Sequence, residues 1–110
     1  MDLLTPELRK QLLEAGSGNM VPICKFFNPV GAATWLITGL EPDGDTLWGY
    51  ADLGMDCVEF GTMSLSELVG VKLPLGLEIE RDLYWKPDPK KMNADYLLGL
   101  NSLSEAGVAH

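Results

Sequence analysis

The chain has 110 residues, 46% hydrophobic and 22% charged, with a formal charge of −8 at pH 7. That length and apolar content suit one self-folding domain burying roughly two-thirds of its unfolded surface. The charge argues against nonspecific nucleic-acid binding, which needs Lys and Arg to neutralise phosphates, and against docking on anionic lipid.

In chain order, Thr5-Pro6-Glu7 reads as a helix start: Thr5 caps, Pro6 suits the first helical position, and Glu7 favours the positive end of the dipole. The helix should run to about Ala15 with Leu8 and Leu12 on one stripe, and Gly16-Ser17-Gly18-Asn19 should end it. Val21 to Phe27 reads as a strand whose start Pro22 marks as an edge, because proline cannot donate to a ladder.

The segment from Ala32 to Ser64 organises the rest. Thr34 to Thr38 is aromatic and β-branched, and Pro42-Asp43-Gly44 reverses it into Thr46 to Asp52. Alternation puts Trp48 and Tyr50 on one face with Asp52 beyond them, and Leu47, Gly49 and Ala51 on the other. Gly54 breaks that strand, and Cys57 to Met63 forms the next. Short links and alternation together predict a half-buried antiparallel sheet. Ser64-Leu65-Ser66-Glu67 then fits a capping box opening a short helix to about Val69. After a loop from Gly70 to Leu77, the segment Glu78 to Lys86 alternates as a last strand. Asp88 and Pro89 open a final helix through Leu98, with Met92, Tyr96 and Leu100 in line. The fold class expected is α+β: an antiparallel sheet of four to five strands, an N-terminal helix packed on it and short C-terminal helical segments. One domain spans residues 1–98 and a flexible tail spans 99–110.

Motifs for chemistry are sparse. Cys24 and Cys57 lack a partner base, since the sole histidine is His110, and without a secretion signal they read as free thiols. The N-terminus, Met1-Asp2-Leu3-Leu4, has no basic region leading into a long apolar core, so the expected location is the cytoplasm. There is no transition-metal ligand cluster, phosphate loop or dinucleotide fingerprint, and no cofactor or metal is expected. Asp43-Gly44-Asp45 lacks the spacing of a calcium loop and reads as a polar turn. Asp52, Asp56 and Glu59 would supply a carboxylate pair if the protein were a small hydrolase, which is the enzymatic alternative.

The charge pattern points elsewhere. From Phe26 to Val71 there are seven acids and no Lys or Arg. If Glu41, Asp43, Asp45, Asp52, Asp56 and Glu59 share a side, neighbours two apart on a strand lie ~7 Å from each other, which approximates a row of phosphates. With Trp48 and Tyr50 as aromatic anchors, these eight residues form the expected partner-binding surface, aimed at a basic groove. A homodimer paired through an edge strand is a further alternative.

The segments LLTPELRKQLL, ATWLITGL, GYADLG, SLSEL and PLGLEIERDLYW together resemble a bacterial family catalogued as domain of unknown function 2958, over residues 3 to about 86. The resemblance implies a setting on plasmids, phages and related mobile elements, and carries over no catalytic residues. Gly18 to Val21 is more compact than in relatives, and the sequence after Pro87 diverges. An acidic protein in that setting is expected to be a non-catalytic inhibitor of a host defence nucleoprotein, of anti-CRISPR or antirestriction type. It would bind a basic surface that otherwise holds nucleic acid.

Overall fold

The computed structural model describes residues 2–103. Helix α1 spans Pro6–Ala15; Thr5 Oγ1 accepts the Leu8 N–H at 3.1 Å, as a cap should, and Gly16 at φ 64 ends it. Its buried Leu12, flanked by Leu8, lies on strand β2.

The strands are β1 Cys24–Phe27, β2 Thr34–Leu40, β3 Thr46–Asp52, β4 Val58–Ser64 and β5 Glu80–Arg81. They form one five-stranded sheet in the order β4-β3-β2-β1-β5, antiparallel throughout. With helices α2 Leu65–Gly70 and α3 Ala94–Leu98 and a 3-10 turn at Pro74–Gly76, the fold is α+β. Because β1 to β4 neighbour one another in chain order, each hairpin needs only local reversal. At the β2–β3 turn Asp43 Oδ1 accepts the N–H groups of Asp45 and Thr46, both at 2.8 Å, while Gly44 takes φ 74.

The sheet is covered on both faces, not half-buried as alternation predicted, and every residue of β2 is buried. On one face Trp35, Ile37, Leu40 and Leu47 pack with Leu3, Leu4 and Leu12 and with Leu65 and Leu68 of α2. On the other, Leu36, Tyr50 and Val58 pack under Trp85, Met92, Leu97 and Leu103. This second cover comes from a segment with almost no regular structure. Met92, Tyr96 and Leu100, expected in line, all reach this core, while Trp85, Leu97 and Leu103 join it outside that period.

Two predicted elements shrink for identifiable reasons. Asp82 Oδ1 accepts the Tyr84 N–H at 2.9 Å, closing a turn that stops β5 after Arg81 and leaves Leu83 and Tyr84 exposed. Asp88 caps only a local turn, through the Lys90 N–H at 3.0 Å, and Asn93 caps α3, accepting the Tyr96 N–H at 2.9 Å. Strand β1 starts at Cys24 and not Val21, and it is interior at Phe26 and Phe27, where β5 pairs with it. The packed chain also continues past residue 98, since Leu100 joins the second core and Leu103 is fully buried in it. The remainder of the expected tail, residues 104–110, lies outside the described residues. Among the described residues no helix is long and apolar enough to cross a membrane.

Candidate functional site

The two ends of β3 separate the acids that the sequence groups together. At one end, Glu41, Asp43 and Asp45 surround the β2–β3 turn. Asp43 Oδ2 accepts the Thr46 hydroxyl at 2.6 Å, and the Thr46 side chain followed by the Thr46 and Asp45 N–H groups holds its carboxyl below the usual range. Asp45 Oδ2 accepts from Ser64 Oγ and Oδ1 from the Ser66 N–H, both at 2.8 Å, and these partners lower its pKa as well. The turn is thereby tied to the start of α2, where Ser64 Oγ accepts the Glu67 N–H at 3.2 Å. Arg9 Nη1 donates to the Gly44 carbonyl at 3.3 Å, so one guanidinium of α1 already sits on this turn.

At the other end, ~20 Å away along a strand of seven residues, the expected set divides again. Asp56 (φ 59) and Glu59 are exposed, but Asp52 is 2% exposed. Its Oδ1 accepts the Gly54 N–H and its Oδ2 the Leu103 N–H, both at 2.9 Å. Those bonds occupy the carboxylate in holding the chain, which removes it both from an acidic surface and from a pair with Asp56 and Glu59. Tyr50 is fully buried, with its hydroxyl donating to the Met20 carbonyl at 2.7 Å and its ring edge-on to Phe60 at 4.9 Å. Trp48 is half-buried and stacks on Phe60 at 5.9 Å; its Nε1 has no acceptor among the described residues. A continuous strip with two aromatic anchors therefore does not form. Tyr50 and Asp52 share the face that the C-terminal segment covers.

No trio of His, Cys, Asp or Glu among the described residues could hold a metal ion. Cys24 is buried on β1, and burial pushes its thiol up to about 12 against the opposing charge of Arg81; Cys57 is exposed, and both are free. An open depression of about 330 Å³ beside β1 is lined by Lys25, Asn28, Thr34 and Asp82. Its charged groups, Lys25 and Asp82, pair with each other at 3.6 Å.

What survives is a charge division across the sheet. β3, β4, α2 and the loops joining β2 to α2 carry the seven acids Glu41, Asp43, Asp45, Asp52, Asp56, Glu59 and Glu67 without a Lys or Arg. Arg9 and Lys10 belong to α1, Lys25 to β1 and Arg81 to β5, with the remaining bases between residues 72 and 91. Strands β1 to β4 keep chain order, so the run becomes one half of the sheet, although the segment that carries Lys86, Lys90 and Lys91 also reaches it through Trp85 and Met92. That half ends at β4, which among the described residues pairs only with β3. The exposed edge was not foreseen, although the absence of any base or proline between Val58 and Ser64 is visible in the sequence.

No curated protein and no solved structure matches the chain. A family match runs over residues 3–97, beyond the resemblance to residue 86 and through nearly all of α3. The segments that build the helix, the sheet and most of its C-terminal cover are thus those of one family, and the chain belongs to the family described as protein of unknown function (DUF2958).

Proposed function

We propose that this protein is a non-catalytic interaction module that binds a basic partner through its β3–β4–α2 half. In the mobile-element setting that the family implies, that partner is a host defence nucleoprotein in the cytoplasm, whose nucleic-acid surface the module blocks. The observation that carries this reading is that six acids accessible at the surface, Glu41, Asp43, Asp45, Asp56, Glu59 and Glu67, come from one half of the sheet. The strands, loops and helix of that half hold no Lys or Arg of their own, and Arg9 of α1 is bonded to its β2–β3 turn. Of the eight residues first expected in the surface, Glu41, Asp43, Asp45, Asp56 and Glu59 remain, Trp48 stays half-buried against Phe60, Glu67 joins them, and Tyr50 and Asp52 leave. The reading is accordingly not a row of phosphates copied along one strand. Two acidic groups ~20 Å apart flank an open strand edge, and they favour a partner with bases at a matching separation.

Affinity capture from a bacterial host at low and high salt tests this directly. The expected result is a basic nucleic-acid-binding protein retained at low salt, released at high salt, and captured progressively less as Glu41, Asp56 and Glu59 are reversed to Lys. Capture that ignores both salt and these substitutions would refute it.

A further inference from the structure

Resting on that acidic reading, we infer that β4 receives an extended basic segment of the partner as a sixth strand, by main-chain pairing along the edge that no strand of the described residues occupies. The two edges of this sheet differ in kind. β5 is two residues long and ends in Arg81, the sort of edge that resists pairing. β4 has seven residues, Val58–Ser64, with no proline, no base and Glu59 as its one charge. On its outer side, alternate backbone N–H and C=O groups have no strand partner among the described residues.

Among the described residues nothing lies within 4 Å of where a side chain at Gly61 would begin, so the sheet face at mid-strand is uncovered and the side chains of an added strand would meet no obstacle there. Helix α3 contacts β4, and Val58, Phe60 and Leu97 belong to one core on a face of the sheet; among the described residues the only strand paired with β4 is β3.

Charge selects the occupant. Asp56 and Glu59 stand at the start of β4, and Asp45 and Glu67 lie at its end, where Ser64 and Asp45 are bonded. A strand with Lys or Arg near both ends would meet carboxylates at both. A second copy would bring the same acids against themselves, each chain carrying −8. Strand addition of this type takes affinity from main-chain hydrogen bonds and specificity from alternate side chains.

The test uses the whole protein and a synthetic peptide of alternating threonine and valine with lysine at each end. A version methylated at alternate backbone nitrogens keeps the charge but cannot pair. Amide exchange should slow at alternate residues of Val58–Ser64 with the first peptide, and the methylated one should bind about tenfold more weakly. Glu59→Lys, at an exposed position, should weaken the first peptide while the circular dichroism stays unchanged. Equal binding of both peptides without β4 protection would overturn strand addition yet leave the acidic reading intact. Binding of neither would overturn the inference, with the capture experiment still deciding the broader reading. Self-association that protects β4 in the absence of peptide would replace the basic partner with a second copy and also overturn it.

Discussion

The Oδ2 atom of Asp52, at the end of β3, accepts a 2.9 Å hydrogen bond from the backbone N–H of Leu103, 51 residues further along the chain. The other carboxylate oxygen takes the Gly54 N–H. One side chain thus closes the β3–β4 loop and pins the C-terminal segment over the second core, where Leu103 is fully buried. Asp52→Ala leaves two N–H groups without acceptors and should destabilise the protein by about 2 kcal/mol. Asp52→Asn should cost less, since its amide oxygen still accepts. Urea unfolding measures the loss, and faster amide exchange at Leu103 locates it; an unchanged midpoint for the alanine variant would contradict the anchoring role.

This bond also marks where the sequence stops being informative. Helix α1, the β2–β3 hairpin and β4 were legible because each is set by local chemistry: Thr5 before Pro6, Asp43-Gly44 at a reversal, alternation between breakers. The edges of these elements fall within about two residues of expectation. Asp52 was misplaced because its main partner is distant in the chain. Yet the alternation that grouped it with Tyr50 was correct, and recognising Tyr50 as core would have carried Asp52 inside too. The C-terminal cover was legible in part: Met92, Tyr96 and Leu100, expected in line, all join the second core, whereas Trp85, Leu97 and Leu103 fall outside that period and only the shape of the sheet face unites them with it.

The β2–β3 turn should give the fold an acid-sensitive joint. Both Asp43 and Asp45 have carboxyls held below their ordinary value of 3.8 by hydrogen bonds to the folded chain. Their stabilising contribution is complete above the unfolded pKa and disappears as pH falls through the lower folded values. Stability should therefore drop on acidification below about pH 4, and Asp45→Ala, which removes the acceptor for Ser64 and Ser66, should flatten part of that drop. Denaturation midpoints across the acid range, compared between the two proteins, check the sign.

The cysteines should differ sharply in reactivity. Cys24 is 5% exposed with its thiol pushed up to about 12, whereas Cys57 stands at the surface before β4. Only the thiolate attacks disulfide reagents. At neutral pH one thiol per chain should react quickly and the second only on unfolding, and Cys57→Ser should abolish the fast phase. Rapid modification of both in the folded protein would show that β1 opens far more readily than its packing implies.

Three strand glycines separate two reasons for having no side chain. None of Gly39, Gly49 and Gly61 has the positive φ that would demand glycine, so space alone decides what each tolerates. A Cβ on Gly39 would collide with the carbonyl oxygen of Gly16, where the end of α1 rests on the irregularity in β2 between Ile37 and Gly39. One on Gly49 would collide with the Leu36 carbonyl oxygen. Backbone cannot swing aside as a flexible side chain does, so Gly39→Ala should cost about 3 kcal/mol or more, by prying the helix from the sheet. At Gly61 nothing among the described residues is within reach, and alanine should instead stabilise by roughly 0.5 kcal/mol through lost freedom in the unfolded chain. Chemical denaturation of the two variants in parallel tests the contrast. A loss at Gly61 as large as that at Gly39 would mean that the sheet face at Gly61 is covered in the free protein.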